Sequence, residues 1–206
     1  MNPNTFPTKG NLILAKNSLA LAKQGYELMD KKRNILIREL MELISKAEDI
    51  QTTIDSTFTE AYKSLQKANI QMGISEVADF AYAIPIEESI KIKTRSIMGT
   101  EIPLVEYDKD KKNVPAYAFY STRESLDEAK LGFEKVKDLT IELSMVENSA
   151  YRLAHNIKKT QKRANALQNI TIPSYQELTT SITNALEEKE REEFTRLKVI
   201  KRMKTN

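Results

Sequence analysis

The chain has no cysteine and no tryptophan, and only one histidine, five glycines and six prolines in 206 residues. The lack of cysteine removes disulfides, thiolate metal sites and sulfur nucleophiles together, and it suits a reducing compartment. The lone histidine, His155, has Arg152 three residues before it, so the Glu-x-x-His pattern of carboxylate-bridged metal bundles is absent. One histidine also falls short of an ordinary zinc set, and His155 reads as an ordinary helix-surface or seam-flanking residue. Neither a phosphate-cradling G-x-x-x-x-G-K-[ST] loop nor a G-x-S-x-G elbow occurs. No run approaches the roughly 20 apolar residues of a bilayer span, and the polar start Met1-Asn2-Pro3-Asn4 lacks a signal-peptide core. A non-catalytic, cofactor-free chain that is soluble and cytoplasmic is the expectation.

Prolines are as informative by position as by scarcity. None lies between Pro7 and Pro85, then Pro85, Pro103 and Pro115 cluster, and the next is Pro173. Because an interior proline costs a helix about 3 kcal/mol, the two proline-free stretches are the helix candidates. Both carry apolar residues at alternating three- and four-residue steps. The first seam runs through Leu12, Ala15, Leu19, Ala22, Tyr26, Met29, Arg33, Leu36, Leu40, Leu43, Ala47, Ile50 and Ile54, and only Arg33 is charged. It then steps by four to Phe58 and continues through Ala61, Leu65, Ala68 and Met72. The second seam holds Leu126, Ala129, Phe133, Val136, Leu139, Leu143, Val146, Ala150, Leu153, Ile157, Ala164 and Leu167, with a three-three step at Val136 and Leu139. Seams this narrow and long mark a coiled coil, and the irregular steps are a stutter and a stammer.

Thr8 is placed to cap the first helix and Gly73 to end it, giving a helix over 8–72. The sequence Ser121-Thr122-Arg123-Glu124 reads as a capping box opening a second helix over 121–206, kinked or interrupted near Pro173, where Ser174 and Glu177 offer another box. The middle segment, 73–120, concentrates the aromatics Phe80, Tyr82, Tyr107, Tyr117, Phe119 and Tyr120. Within it, Ile90-Lys91-Ile92-Lys93-Thr94-Arg95-Ser96 alternates, Met98-Gly99-Thr100 offers a turn, and Ile102 to Tyr107 is extended in character, so a β-hairpin is expected at 90–107. A hairpin alone is marginal in water and must pack on the helices or on a partner. The fold class is therefore mainly α, with the N- and C-terminal helices folded back as a long antiparallel two-helix coiled coil and a short β-hairpin between them. Aligning Met72 with Thr122 puts Leu12 near Ile182, so the last residues overhang the start of the chain.

The net charge is only +3, but both ends are basic. Residues 1–26 carry Lys9, Lys16 and Lys23 without an acid, and Arg196, Lys198, Lys201, Arg202 and Lys204 close the chain, again without one. Folding back brings both ends to one tip. The final stripe, interleaved with Leu197, Ile200 and Met203, has three readings: a membrane-surface or nucleic-acid helix, cations placed on a helix C-terminus, or a tip inserted into an acidic or carbonyl-lined partner cavity. The run from Glu187 to Glu193 reads as a solvated face laced with ion pairs. Arg33 reads as a register device that snorkels or pairs with a carboxylate on the facing helix, or as the point where the seam opens to a partner.

Several segments also resemble, in order, the D subunit of the V-type and A-type rotary ATPases. They are Pro7-Thr8-Lys9-Gly10-Asn11-Leu12 with Lys16, Leu19, Leu21-Ala22, Gly25, Leu28 and Lys32-Arg33; Met98-Gly99 with Ile102-Pro103; Arg163-Ala164-Asn165-Ala166-Leu167 with Ile172-Pro173; and Leu186-Glu187-Glu188-Lys189-Glu190-Arg191 through Phe194, Arg196-Leu197-Lys198 and Lys201. Gln168 stands where the family pattern has Glu, and Thr100 with Glu101 where small apolar residues are typical. The resemblance implies a central-stalk rotor that transmits torque between a hexamer of catalytic A and non-catalytic B subunits and a membrane ring, with no cofactor. It also implies that the rotor binds the small F subunit of the stalk, sits on a funnel-like subunit (C or d), and stays in the cytoplasm at the membrane periphery. On it, Lys9, Lys16, Arg196, Lys198, Lys201 and Arg202 are the candidate contacts inside the hexamer. Two other readings keep the helices: a coiled-coil scaffold or tether, and a shaft like the F-type gamma subunit. The latter is expected to carry an α/β domain, for which a middle of about fifty residues is too short.

Overall fold

The computed structural model describes residues 6–84, 86, 88–107, 117–120 and 122–205. Its elements are α1 (Lys9–Met72), α2 (Ile74–Tyr82), β1 (Lys91–Ile97), β2 (Thr100–Glu106), α3 (Glu124–Ala166), a five-residue π turn (Leu167–Thr171) and α4 (Ile172–Thr205). The fold is mainly α: the long N- and C-terminal helices pack against each other antiparallel as a coiled coil, and a small antiparallel hairpin lies between them in sequence. Every residue of the two seams read from the sequence is buried or half-buried, Arg33 included. Two compact units form, Met1–Asn34 with Ile157–Asn206 and Ile35–Asn156.

Helix starts and stops follow local chemistry. The Asn11 amide donates to Thr8 Oγ1 at 3.2 Å and the Leu12 amide to the Thr8 carbonyl at 3.0 Å, so Thr8 caps α1. Gly73 ends it with φ 90° and ψ 148°, a conformation open to a residue without Cβ. The chain then enters α2, a short helix that the sequence pattern does not announce. Ser121 lies outside the described residues, so the capping box expected there has no structural counterpart to report.

In the unit of 35–156, Ile50, Ile54 and Val146 form one core cluster, flanked by Leu43, Ala47, Phe58, Leu139 and Leu143. The stutter at Ile54 is therefore filled by large side chains. Farther along, Gly132 faces Ala61 so closely that a Cβ built on it would stand 2.8 Å from the alanine Cβ and 3.3 Å from its Cα. Beside this contact Phe58, Tyr62 and Phe133 interlock, with Tyr62 edge-on to Phe133 at 5.3 Å. Next, Ala68 of α1, Val77 of α2 and Leu126 of α3 bury one another, with Phe80 of α2 and Tyr117, from the segment before α3, packed against them. The Tyr117 hydroxyl donates to Asp127 at 2.8 Å, and burial together with that carboxylate pushes the phenol well above its ordinary range.

The hairpin turns at Met98 (φ 49°) and Gly99 (φ 74°), the two positive angles of a tight two-residue turn that matches strand twist. It docks on α3. Thr100 is buried and bonded to Asn156, and Arg152 Nη1 donates to the Glu101 carbonyl at 3.2 Å.

In the unit of 1–34 and 157–206, the core is built from small residues, Ala15, Ala22, Thr160 and Ala164, with Ile182 beyond them. Gly25 lies opposite Leu167, the first residue of the π turn. There the Ile172 amide reaches back to the Leu167 carbonyl, five residues earlier, and Thr171 Oγ1 donates to Ala166 O at 3.3 Å. Pro173 explains the widening. It has no N–H for the Asn169 carbonyl, and its ring crowds that carbonyl, so the strain is released one turn upstream. Ser174 accordingly lies inside α4 rather than capping a fresh start.

Replacing Gly132 with Ala is expected to destabilise the protein by about 1–3 kcal/mol through overpacking against Ala61, net of a helix-propensity gain of about 1 kcal/mol. Gly10→Ala, where nothing stands within 4 Å, is the control and should be neutral or stabilising. Thermal unfolding of the two variants checks this.

Candidate partner-contact surfaces

The six basic residues singled out from the sequence all lie at the ends of α1 and α4 in one unit. Lys9 Nζ stands 3.1 Å from Glu190 Oε1, an exposed pair between α1 and α4 that shows which residues come together at this end. It matches the fold-back geometry, shifted several residues toward the C-terminus from the alignment that paired Leu12 with Ile182. Lys16 is exposed on α1. From Glu187 to Lys204 every side chain of α4 is exposed, so no described residue buries this stretch. Arg196 approaches Glu192 at 3.9 Å and Arg191 approaches Glu187 at 3.6 Å, both one turn apart on the same helix. Such solvated pairs contribute little stability, so they leave the cations available to a stronger acceptor. Lys198, Lys201 and Arg202 are exposed on the last turns, and Arg202 and Lys204 also sit favourably on the helix C-terminus.

Charge is only half of this surface. Phe194 is 70 % exposed and Met203 76 %, with Leu197, Val199 and Ile200 bare between them. The apolar stripe read from the sequence therefore continues past its intramolecular partner. On α1 the same unit exposes Leu14, Leu21 and Leu28, spaced by seven residues and lying off the seam. This second heptad stripe was not singled out in the sequence. Its signal was there: an apolar repeat in phase with itself and out of phase with the seam.

The other unit has an apolar surface of its own, also missed. Ile70, Ile74, Tyr82, Ile86 and Tyr120 are almost fully exposed around the end of α1 and α2. Isolated apolar residues need no explanation, but five exposed aliphatic and aromatic side chains from the end of α1, α2 and the segments beside it make this region a candidate contact surface.

Arg33 is placed differently from the sequence reading. Its cross-helix partner is an amide and not a carboxylate: Nη1 donates to Gln161 Oε1 at 2.8 Å, while the carboxylate it pairs with, Asp30 at 2.5 Å, belongs to its own helix. Asn34 accepts from the same guanidinium, and Gln161 Nε2 donates onward to Asn165 at 2.7 Å. Asp30 keeps the charge compensated while Gln161 supplies geometry across the seam. His155 is exposed on α3, and no shared metal-ligand cluster of it with acids is found among the described residues.

Together these features define an antiparallel two-helix coiled-coil protein with uncovered apolar and basic surfaces on its helices. The sequence profile of the ATP synthase D subunit matches residues 11–202. The Thermotoga neapolitana V-type ATP synthase D subunit is 47% identical over 195 residues, covering 95% of this chain and 96% of its own. The A-type ATP synthase D subunit of Pyrococcus horikoshii is 36% identical over 197 residues, covering 95% and 92%, and that of Thermococcus kodakarensis is 34% identical over 200 residues, covering 96% and 94%. The chain belongs to the family of ATP synthase D subunits.

Replacing Arg33 with Met should cost about 1–3 kcal/mol, because Gln161 and Asp30 lose a charged donor in a half-buried site. The double variant with Gln161→Leu should recover part of that loss. A double-mutant cycle on chemical denaturation measures the coupling.

Proposed function

We propose that this chain is the central-stalk rotor shaft of a V- or A-type rotary ATPase, transmitting torque between the nucleotide-binding A and B subunits and the membrane ring without catalysing a reaction itself. Membership of the D-type family over nearly the whole chain supports this reading. The structural observation that carries it is the end of α4: a helix from Glu187 to Lys204 with every side chain exposed, ending in five bases and no acid. An amphipathic helix end that no described residue covers is built to be enclosed by something else.

The mechanism follows from what a shaft must do. A rotor bound equally well at every angle neither senses nor biases nucleotide state, so its contacts must differ around its circumference. In this reading Lys9, Lys16, Arg196, Lys198, Lys201 and Arg202 meet polar groups of the surrounding hexamer. Long, solvated side chains offer angular preference without the deep burial that would stall rotation. The bare Leu14, Leu21 and Leu28 stripe, together with Phe194, Leu197 and Ile200, gives the bore an apolar bearing surface. The other apolar end, at Ile70, Ile74, Tyr82, Ile86 and Tyr120, seats the chain on the funnel-like subunit at the membrane side. The small F subunit completes the stalk. No helix among the described residues is long and apolar enough to cross a membrane, so attachment through a seat of this kind is required by the proposal.

Neutralising Lys9, Lys16, Lys198 and Lys201 together should lower ATP hydrolysis and its coupling to ion movement in the reconstituted complex by roughly two- to tenfold, the scale of a few surface charges at an interface. Unchanged rate and coupling would reject the role assigned to the tip. Ile74→Asp with Tyr82→Asp should leave hydrolysis by the detached catalytic part intact and release it from the membrane sector, read by sedimentation with vesicles. The isolated chain should be monomeric and take up the F subunit one to one; a parallel homodimer on sizing would favour a scaffold instead.

A further inference from the structure

The hairpin's two outer edges differ in how they are closed. With the turn at Met98 and Gly99, the ladder's hydrogen-bonded pairs are Ile97 with Thr100, Arg95 with Ile102, Lys93 with Leu104 and Lys91 with Glu106. The backbone groups of the alternate residues point outward, from Ile92, Thr94 and Ser96 on β1 and from Glu101, Pro103 and Val105 on β2. Along β2 each outward residue has one backbone group that is occupied or missing. Arg152 donates to the Glu101 carbonyl, the Val105 amide donates to Met145 Sδ at 3.5 Å, and Pro103 has no N–H to offer. Along β1 no described residue hydrogen-bonds to the outward groups of Ile92, Thr94 or Ser96, and the strand contains neither a proline nor a bulge.

An open, regular edge is a template for another strand, and sheets ordinarily blunt it. Lysine on the edge is one way of blunting, but the bases here are ordered. Lys91, Lys93 and Arg95 share one face by strand alternation, and Ile92, 71 % exposed, lies on the other. Lys93 is engaged by Glu106 at 2.7 Å, whereas Lys91 and Arg95 have no carboxylate partner among the described residues. A strand laid along β1 with acids on that face would gain backbone hydrogen bonds and neutralise both cations. A basic strand would gain the bonds and meet repulsion.

We propose that the outer edge of β1 is the docking site for an extended, acidic segment of a partner protein, which adds to the hairpin as a third strand. The inference rests on the reading of this chain as one component of a larger assembly. It goes further by assigning the hairpin a partner of defined chemistry and a defined mode of attachment.

The test uses the full chain and a capped peptide of alternating Glu and Val, about eight residues long to match one strand, beside its Lys–Val counterpart. The acidic peptide should bind saturably and slow amide exchange at Ile92, Thr94 and Ser96, and the basic one should do neither. Thr94→Pro removes an outward N–H while leaving the β1–β2 ladder intact, and should weaken binding at least tenfold. Lys91→Glu with Arg95→Glu, which does not alter the backbone, should reverse the preference between peptides. Equal binding of both peptides would show a surface that only guards against aggregation and would overturn the proposal, as would acidic-peptide binding that survives Thr94→Pro. In the assembled ATPase the same three amides should exchange more slowly than in the free chain. If the chain is present in the complex and these amides stay as fast as in the free chain, the docking site is refuted while the rotor reading stands. If the chain does not enter the complex, the rotor reading falls, and the peptide comparison still decides the edge.

Discussion

A helix with a narrow apolar stripe cannot bury that stripe by itself, and on this constraint the rest of the structure depends. Both long helices carry such a stripe, and neither has a globular core to lie on. Most helical stability in proteins comes from packing an apolar face rather than from intrinsic propensity. Each helix therefore has to find the other along its length, and the antiparallel return follows from having the connecting segment between them. Once the seam is closed, what is left bare becomes meaningful. The end of α4, the leucine stripe of α1 and the apolar end at α2 are surfaces that the pairing leaves uncovered.

Within the seam, the stutter and the charged layer are each compensated by a specific contact. The stutter at Ile54 is filled by Val146 and its neighbours, and the meeting of Gly132 with Ala61 brings the backbones close beside the Phe58, Tyr62 and Phe133 cluster. At Arg33 the layer turns polar, with Asp30 balancing charge and Gln161 bridging. A polar layer in an otherwise apolar seam favours one register, because any slip leaves its donors without partners.

The sequence made the pairing legible because its signal is periodic and long. Every seam residue is identifiable from spacing alone, and Thr8, Gly73 and the Met98-Gly99 turn have local signatures that do not depend on tertiary contacts. What escaped were features decided across space. Gly132 sits beside a seam residue and looks like a weak point in a helix until Ala61 is seen opposite it. The short α2 has too few turns to show a period. Arg33 announced a polar layer but not its partner, since an amide at Gln161 satisfies a guanidinium as readily as a carboxylate does when Asp30 already supplies the charge. Of the contact surfaces, the bases at the ends were visible as composition. The bare leucines were not, because a residue's exposure depends on which of two apolar stripes wins the facing helix.

The π turn at Leu167–Thr171 also sets an angle. One residue more or less in an α-helix turns everything beyond it by about 100°, so the extra backbone length taken up there sets which residues of α4 are covered within its unit: Ile182 is buried and Leu178 and Leu186 are half-buried. In most proteins a single-residue insertion in a helix scrambles the core downstream. Here the step is absorbed within the seam, because α4 goes on covering an apolar residue every four positions after the turn, at Leu178, Ile182 and Leu186.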